Sequence, residues 1–451
     1  MSNQMMRVLF VIALLLLLLL RVQAVNAEQL DLIDIFQLAQ DNDQRYLQEQ
    51  SRRNSTRELK SQAIAAILPT ISVTGRSGWN YLRNKKSIGN FRGEGIQRFW
   101  SHTGQVDVNQ PIFNWDSWVI FNQSEYEIAK AEALFAKAYQ DLILRTVNAY
   151  VDVLLAEETL VLTRAELKAR HQVLEQAKLR FEVGMAPVTD SLEAEARFAA
   201  TSADVAVAEA AVIDVRSGLQ EITGMPITGN LAILITEMPL EPPVPAELEA
   251  WKKYATNRNR ELMAAMSDVH VTKQQIEHEK AGHYPTISGV ASYSFNDDNS
   301  TFGLRGETGA IGVQVNVPIF AGGGVSSRVR QAYHDYEANK HVFELTKRSI
   351  QRSVTKSYYA VKAKITQVTA LRKSVQSFDK ALEATQVGME VGSNTLADVL
   401  DAQTDLYTAK RDLSQQLYAY LVNWLDLRLA AGLLEQDDIV RLNEYLLVAT
   451  E

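Results

Sequence analysis

The hydrophobic pattern changes period several times along the chain. Residues 8–20 form an unbroken apolar run, preceded by Arg7 and followed by a polar stretch ending Val25-Asn26-Ala27. A charged start, a short apolar centre and compact residues before a cleavage point make a secretory signal, and the run is shorter than the ~20 residues a spanning helix needs. Residues 1–27 are therefore expected to be removed outside the cytoplasm. After Pro69 the pattern alternates: Ile71, Val73, Trp79 and Tyr81 sit at odd positions, with Thr70, Ser72, Thr74, Arg76 and Asn80 between them. Ile287, Tyr293 and Phe295 repeat this, with returning runs at Val106 and Val108 and at Ile311, Val313, Val315 and Val317. Period two predicts strands. Spans of about ten residues with aromatic ends and one apolar face fit transmembrane β-strands, although two soluble hairpins alternate in the same way. Residues 83–98 and 297–307, rich in Gly, Asn and charge, are expected loops.

The remainder predicts helix. Residues 118–183 and 325–391 contain no proline, and each corresponds to ~100 Å of helix. Inside them Val153, Leu160, Leu167, Leu174 and Phe181 recur every seven residues, as do Val361, Val368, Val375, Leu382 and Met389. A strict seven-residue period predicts coiled-coil packing; an ordinary amphipathic helix drifts off it within a few heptads.

These elements occur twice. Leu68-Pro69-Thr70-Ile71-Ser72 returns as Tyr284-Pro285-Thr286-Ile287-Ser288, and Glu182-Val183-Gly184 returns as Glu390-Val391-Gly392. From Tyr150/Tyr358 to Gly224/Gly432 the two copies keep one constant spacing of 208 residues without a gap. The expected organisation is a signal over 1–27, a first repeat over 28–224, a linker over 225–247, a second repeat over 248–432 and a C-terminal segment over 433–451. The ten prolines respect this plan. Pro69, Pro111, Pro285 and Pro318 fall at expected strand–helix junctions, Pro187 beside a helical turn, and the rest in the linker. None falls inside an expected helix, where it would cost ~3 kcal/mol.

Composition narrows the function. The 451 residues carry 46 Lys+Arg against 54 Asp+Glu and no Cys. Without cysteine there is no disulfide framework, thiol nucleophile or lipidated N-terminal Cys. An acidic balance argues against nucleic acid as a partner. His278-Glu279 with His283 misses the zinc spacing, Gly322-Gly323-Gly324 lacks the P-loop Lys, and no catalytic constellation or cofactor site emerges. Four strands cannot close a membrane barrel, which needs about eight, so several chains must share one. Two chains give eight strands and three give twelve; periodicity does not choose between them.

The sequence resembles the TolC family of bacterial outer-membrane efflux proteins over essentially the whole mature chain. The resemblance rests on Gln110-Pro111-Ile112-Phe113, Val317-Pro318-Ile319-Phe320, Arg180-Phe181-Glu182-Val183-Gly184 and above all Thr395-Leu396-Ala397-Asp398-Val399-Leu400-Asp401-Ala402-Gln403. It implies a mainly α fold with β: a homotrimer in which a twelve-stranded transmembrane β-barrel continues into a periplasmic α-helical coiled-coil barrel. Each long helix is then matched end to end by two shorter ones, for which residues 30–68 and 186–222 have the right summed length. By resemblance, Asp398 and Asp401 form carboxylate rings at the pore constriction. Three chains bring six carboxylates together, favouring cations and raising some of their pKa values. Thr189 and Asp190 match positions that hold the tip closed. Two residues depart from the family lock: Asn394 stands for an arginine and Met389 for a tyrosine, and Asn cannot make the bidentate charged bond of Arg. Val183, Gly184 and Met185, with Val391, Gly392 and Ser393, resemble the turns that contact a periplasmic adaptor (membrane fusion) protein, although the glycines also suit plain helix caps. The adaptor would join an inner-membrane ABC or proton-driven transporter. The expected role is a passive exit duct embedded in outer-membrane lipid, for type I protein secretion or multidrug efflux. A coiled-coil envelope scaffold explains the helices but not the alternating strands.

Overall fold

The computed structural model describes residues 30–84, 95–227, 229–235, 238–299 and 305–447. The expected signal peptide and the middles of both expected hairpin loops lie outside these residues. In chain order the elements are α1 (Leu32–Asn42), α2 (Gln44–Ala65), β1 (Thr70–Asn84), β2 (Gly95–Phe113), α3 (Trp115–Glu182), α4 (Val188–Thr223) and β3 (Ile233–Leu234). Then follow α5 (Leu248–Arg258), α6 (Arg260–Ala281), β4 (Thr286–Asp298), β5 (Arg305–Asn316), α7 (Gly324–Glu390), α8 (Leu396–Ala430), α9 (Gln436–Asn443) and β6 (Leu446–Leu447). The two long helices end within three residues of their expected bounds.

The chain packs as two compact units, each drawing on both halves of the sequence. One unit, Glu49–Lys137 with Arg260–Ser349, holds a four-stranded antiparallel sheet in the order β1-β2-β4-β5. Its register makes the alternation continuous across strands. Ile71 faces Val108, Val73 faces Val106, Val106 faces Tyr293, and Ala291 faces Ile311. Directly paired residues share a face, so one side is an apolar band. The other carries Thr70, Ser72 and Thr74 against Asn109, Asp107 and Gln105. The apolar band is open: Ile71 is 70% exposed, Val73 77% and Ile311 91%. Trp79 and Trp100 pair edge-to-face near one end of the sheet, ring centroids 5.5 Å apart.

Three expectations need correction. The strands are longer than about ten residues: β1 has 15 and β2 has 19, and residues 83–84, 95–98, 297–298 and 305–307 are strand rather than loop. Backbone pairing continues past the end of the apolar alternation, since ladder bonds do not depend on side-chain polarity. Pro111 lies inside β2, at a register shift between Pro111 and Phe113, where the ladder tolerates a residue without N–H. Residues 30–68 do not form one helix. The helix breaks at Asp43, whose extended backbone (ψ 114°) caps α1, and the second repeat breaks likewise at Asn259 (ψ 124°).

The other unit, Met1–Gln48 with Ala138–Asn259 and Ile350–Glu451, contains these breaks and the core around them. Asp43 accepts two bonds from Arg145, 2.7 and 2.9 Å, and one from the Tyr46 N–H at 2.7 Å. Burial pushes the Asp43 carboxyl up, but these bonds and the Arg145 charge outweigh it and hold the group below its usual range. Asn259 donates to the Ala430 carbonyl at 3.0 Å. Leu32, Ile35, Phe36, Leu142, Ile143, Tyr150, Leu219 and Leu425 are buried here. Two left-handed glycines, Gly224 (φ 73°) and Gly432 (φ 71°), end α4 and abut the end of α5 respectively. A Cβ on Gly432 would stand 2.5 Å from the Arg258 carbonyl carbon, so the backbone itself occupies that space.

Candidate functional site

The sequence places the candidate residues at the turns of two helical hairpins, α3–α4 and α7–α8, both in the second unit. The turns are built alike. Gly184 takes φ 74° and Gly392 φ 80°. Met185 N–H donates to the Arg180 carbonyl and Gly184 N–H to that of Phe181, at 2.8 and 2.9 Å. Ser393 donates to Gly388 and Gly392 to Met389, at 2.8 and 3.3 Å. This paired pattern closes a helix on a left-handed residue, which requires glycine. Val183, Met185 and Val391 are left 68%, 80% and 76% exposed. An apolar side chain at such exposure on a rigid turn suits a partner surface.

The next helix starts differently in the two hairpins. Thr395 caps α8. Its Oγ1 accepts from Asp398 N–H at 3.2 Å and donates to Asp398 Oδ2 at 2.8 Å, while Thr395 N–H donates to the same oxygen at 2.8 Å. This reciprocal cap satisfies two helix-end donors. The Thr395 N–H, the Thr395 hydroxyl and the Asn394 amide hold the Asp398 carboxyl below its usual range. The cap position of α4 is Pro187, which offers neither hydroxyl nor N–H. Asp190, at the equivalent place, therefore has no such lock; Thr189 Oγ1 approaches its Oδ1 at 3.5 Å.

Asp401 lies one turn beyond Asp398 and meets a base. Arg197 of α4 donates to Asp401 Oδ1 at 3.1 Å and stands 3.8 Å from Glu193. Asp401 stays 64% exposed, so the pair is open to solvent. The two aspartates thus share a helix face but hold different partners. Thr189 and Asp190 bond neither of them among the described residues. Asn394 folds back over the last turn of α7: a Cβ on Gly388 would lie 2.0 Å from its Oδ1. Ser393 Oγ also donates to the Gly388 carbonyl at 3.1 Å. Met389 is half-buried on that turn.

Deeper along the hairpins lies a set of charges the pattern did not reveal. Arg170 and Glu166, on α3, have side chains only 4% and 8% exposed and bond at 3.0 Å. Arg170 also donates to Thr404 Oγ1 at 2.8 Å and to the Leu400 carbonyl at 3.3 Å, both on α8. Glu166 Oε2 accepts from Arg411 of α8 at 2.8 Å. An i,i+4 Glu–Arg pair reads in sequence as a solvated helix face. Its burial follows from α8 lying across it, with Thr404 as the one hydroxylated side chain that meets it. Nearer the turn, Leu174 and Ala177 of α3 pack with Ala194 and Phe198 of α4 and Leu396 of α8. These contacts fix the aspartate-bearing end of α8 against the first hairpin.

Comparisons with known proteins agree with this architecture. The chain matches the outer membrane efflux protein family over residues 35–225 and 251–433. It is 33% identical over 424 residues to the outer membrane protein TolC of Vibrio cholerae, covering 93% of this chain and 94% of that one. It is 27% identical over 420 residues to the alkaline protease secretion protein AprF of Pseudomonas aeruginosa, covering 92% and 87%. Among solved structures, the Campylobacter jejuni CmeC outer membrane channel superposes with a TM-score of 0.78 at 15% identity, covering 92% of this chain and 89% of that one, which speaks to the fold. The doubled hairpins, the one-sided apolar sheet and these matches together mean that the chain belongs to the outer membrane efflux protein family, as a channel protein of the outer membrane and not an enzyme.

Proposed function

We propose that the chain forms a homotrimeric exit duct for type I protein secretion, gated at its hairpin turns. The observation that carries this reading is the sheet. Among the described residues its edge strands β1 and β5 have unpaired outer edges, and its apolar side is bare. Open edges are not tolerated in lipid, so neighbouring copies must pair them; three copies give twelve strands. Residues 1–27 act as the export signal, 28–224 and 248–432 as the two repeats, and 225–247 with 433–451 as a belt around the periplasmic barrel. At the turns, Asp398 and Asp401 ring the pore and Thr189, Asp190, Asn394 and Met389 set how firmly it rests closed. The exposed turns at Val183–Met185 and Val391–Ser393 receive a periplasmic adaptor, which links the duct to an energised inner-membrane transporter.

Secretion is favoured over small-molecule efflux by the full-length similarity to a protease secretion protein. The test is complementation in a bacterium deprived of its own exit duct. Expression of this chain beside a protease-exporting ABC transporter and adaptor should restore extracellular protease. Restored drug resistance without protease export would favour the efflux reading instead.

A further inference from the structure

The acids near the two turns are repeated, and the base among them is not. Asp190 and Glu193 lie 208 residues before Asp398 and Asp401, at the same places in the repeat. Each protomer therefore has two pairs of carboxylates: Asp190 with Asp398 and, one turn deeper, Glu193 with Asp401. Arg197 has Asp405 as its counterpart. Its Nη2 donates to Asp401 Oδ1 at 3.1 Å and stands 3.8 Å from Glu193 Oε1. One arginine thus meets both acids of the deeper pair. Among the described residues, no ion pair holds Asp190 or Asp398.

The bond joins different hairpins. Arg197 belongs to α4 and Asp401 to α8, and among the described residues this is the one side-chain hydrogen bond between those helices. It is also the tie of α8 nearest the turn. Further along, α8 is held at Leu400, Thr404 and Arg411 by the buried Arg170 and Glu166. Arg197 and Asp401 are instead 40% and 64% exposed. Water replaces the partners of an exposed pair at little cost, whereas breaking a buried one strands a charge. Helix α8 therefore has an anchored stretch and a releasable end, and the releasable end carries Asp398 and Asp401. The contacts of Leu396 with the first hairpin set where this end rests. The ion pair adds to their hold only while Asp401 is bound.

We propose that Arg197 is the latch of the constriction in this chain: it holds α8 to α4 through Asp401 while the duct is closed, and passes to Glu193 when it opens. The inference rests on the reading above that Asp398 and Asp401 line the narrowest part. Arg197 acts on the pore through Asp401, so it is a positioning residue. Asn394 turns back over Gly388 and toward Asp398 within its own hairpin, so it does not join α8 to α4. The charged bond between the hairpins is made at Arg197 instead. Glu193, already beside the guanidinium, keeps Arg197 paired when Asp401 leaves, which lowers the cost of release. Arg197 also offsets charge. Three copies place six carboxylates at the Asp190 and Asp398 positions with no base, and six at the deeper positions with three arginines. Removing Arg197 therefore adds one net negative charge per protomer at the deeper level and strengthens its attraction for cations.

Single-channel recording of the full-length, detergent-purified oligomer tests this with Arg197→Gln, Asp401→Asn and the two together. Either single variant breaks the bond. An exposed pair shifts its own equilibrium by up to about fivefold, so three released together should raise the open probability on the order of tenfold. The single variants should then part company in selectivity. Arg197→Gln should strengthen cation preference and block by a trivalent cation, and Asp401→Asn should weaken both; a variant that only loosened the fold would not strengthen them. The double variant should open no more than either single one, because both act through one bond. Hydrogen exchange at residues 396–401 reads the release without a bilayer and should rise by up to about fivefold in each single variant, with the oligomer unchanged by light scattering. Open probability and exchange in Arg197→Gln equal to wild type, or a double variant whose increase is the product of the single ones, overturns the latch. Weakened selectivity in Asp401→Asn then still leaves the constriction in place. Selectivity unchanged when Asp398 and Asp401 are both replaced by Asn overturns the constriction, and the latch with it.

Discussion

Glu166→Gln should loosen α8 from α3 more than any single change at the exposed turns. Glu166 accepts Arg170 at 3.0 Å and Arg411 at 2.8 Å. The Arg170 side chain is 4% exposed, whereas Arg411 is 31% exposed. Neutralising Glu166 leaves the Arg170 guanidinium buried without a counter-charge, and among the described residues its Nε already lacks an acceptor. Removing one partner of a buried pair costs about 3–5 kcal/mol, and breaking a half-exposed pair costs up to about 1 kcal/mol. Taking ~3 kcal/mol, local opening becomes more frequent by a factor on the order of 10². Hydrogen exchange of the intact protein, followed on peptides covering residues 160–172 and 398–408, reads this directly. Arg411→Ala should change the same peptides only about fivefold, since its end of the network faces water. A change below about threefold in the Glu166→Gln protein would refute the reasoning, because the buried pair would then not hold the hairpins together.

Three further predictions follow from local geometry. Thr395→Ala removes a donor that keeps Asp398 ionised, so its carboxyl should return toward the ordinary range. Because that group is held low when folded, its stabilising effect is present above the unfolded pKa and is lost as pH falls through the folded value; a pH titration of exchange at the start of α8 should show this loss shifted to higher pH. Gly432→Ala needs a left-handed backbone, costing at least ~1 kcal/mol, and also drives Cβ into the Arg258 carbonyl, so assembled protein should be lost. Gly224→Ala meets the flexible Asn42 side chain at 2.9 Å and should cost less of the assembled protein, both variants being compared with wild type by native gel electrophoresis. Asp438 is buried, and burial pushes its carboxyl up despite the Arg428 bond at 2.7 Å. A carboxyl raised on folding stabilises most below its unfolded pKa and loses that contribution as pH rises through the folded value, so the protection of α9, taken relative to the intrinsic exchange rate at each pH, should fall as pH rises, a dependence absent in Asp438→Asn.

Much of this fold was legible because its signals are periodic. Alternation at Ile71, Val73, Ile311 and Val313 could only be strand, and the long helices end where Gly184 and Gly392 permit a left-handed turn. What was not legible depends on partners distant in sequence. The breaks at Asp43 and Asn259 carry no Pro or Gly; their signal is an Asx residue at the same place in both repeats, a type that favours caps over helix interiors. Strand ends ran past their apolar positions because backbone pairing ignores side chains. At the turns, motif reading named Asp398 and Asp401 but not their separation into a capped carboxylate and an Arg197-bound one. That difference arises from Thr395 and from a second helix, which no local window contains. The Arg170–Glu166 pair stayed hidden for the same reason: only the contact with α8 turns an ordinary i,i+4 pair into a buried one.

The proposed duct is narrowest where Asp398 and Asp401 line it. Single-channel conductance of the detergent-purified oligomer in a planar bilayer tests it most directly, with and without a trivalent cation, beside the Asp398→Asn, Asp401→Asn double variant. Small, cation-selective openings that the trivalent ion blocks are expected, with both selectivity and block weakened in the variant. Selectivity and block identical in wild type and variant would contradict it.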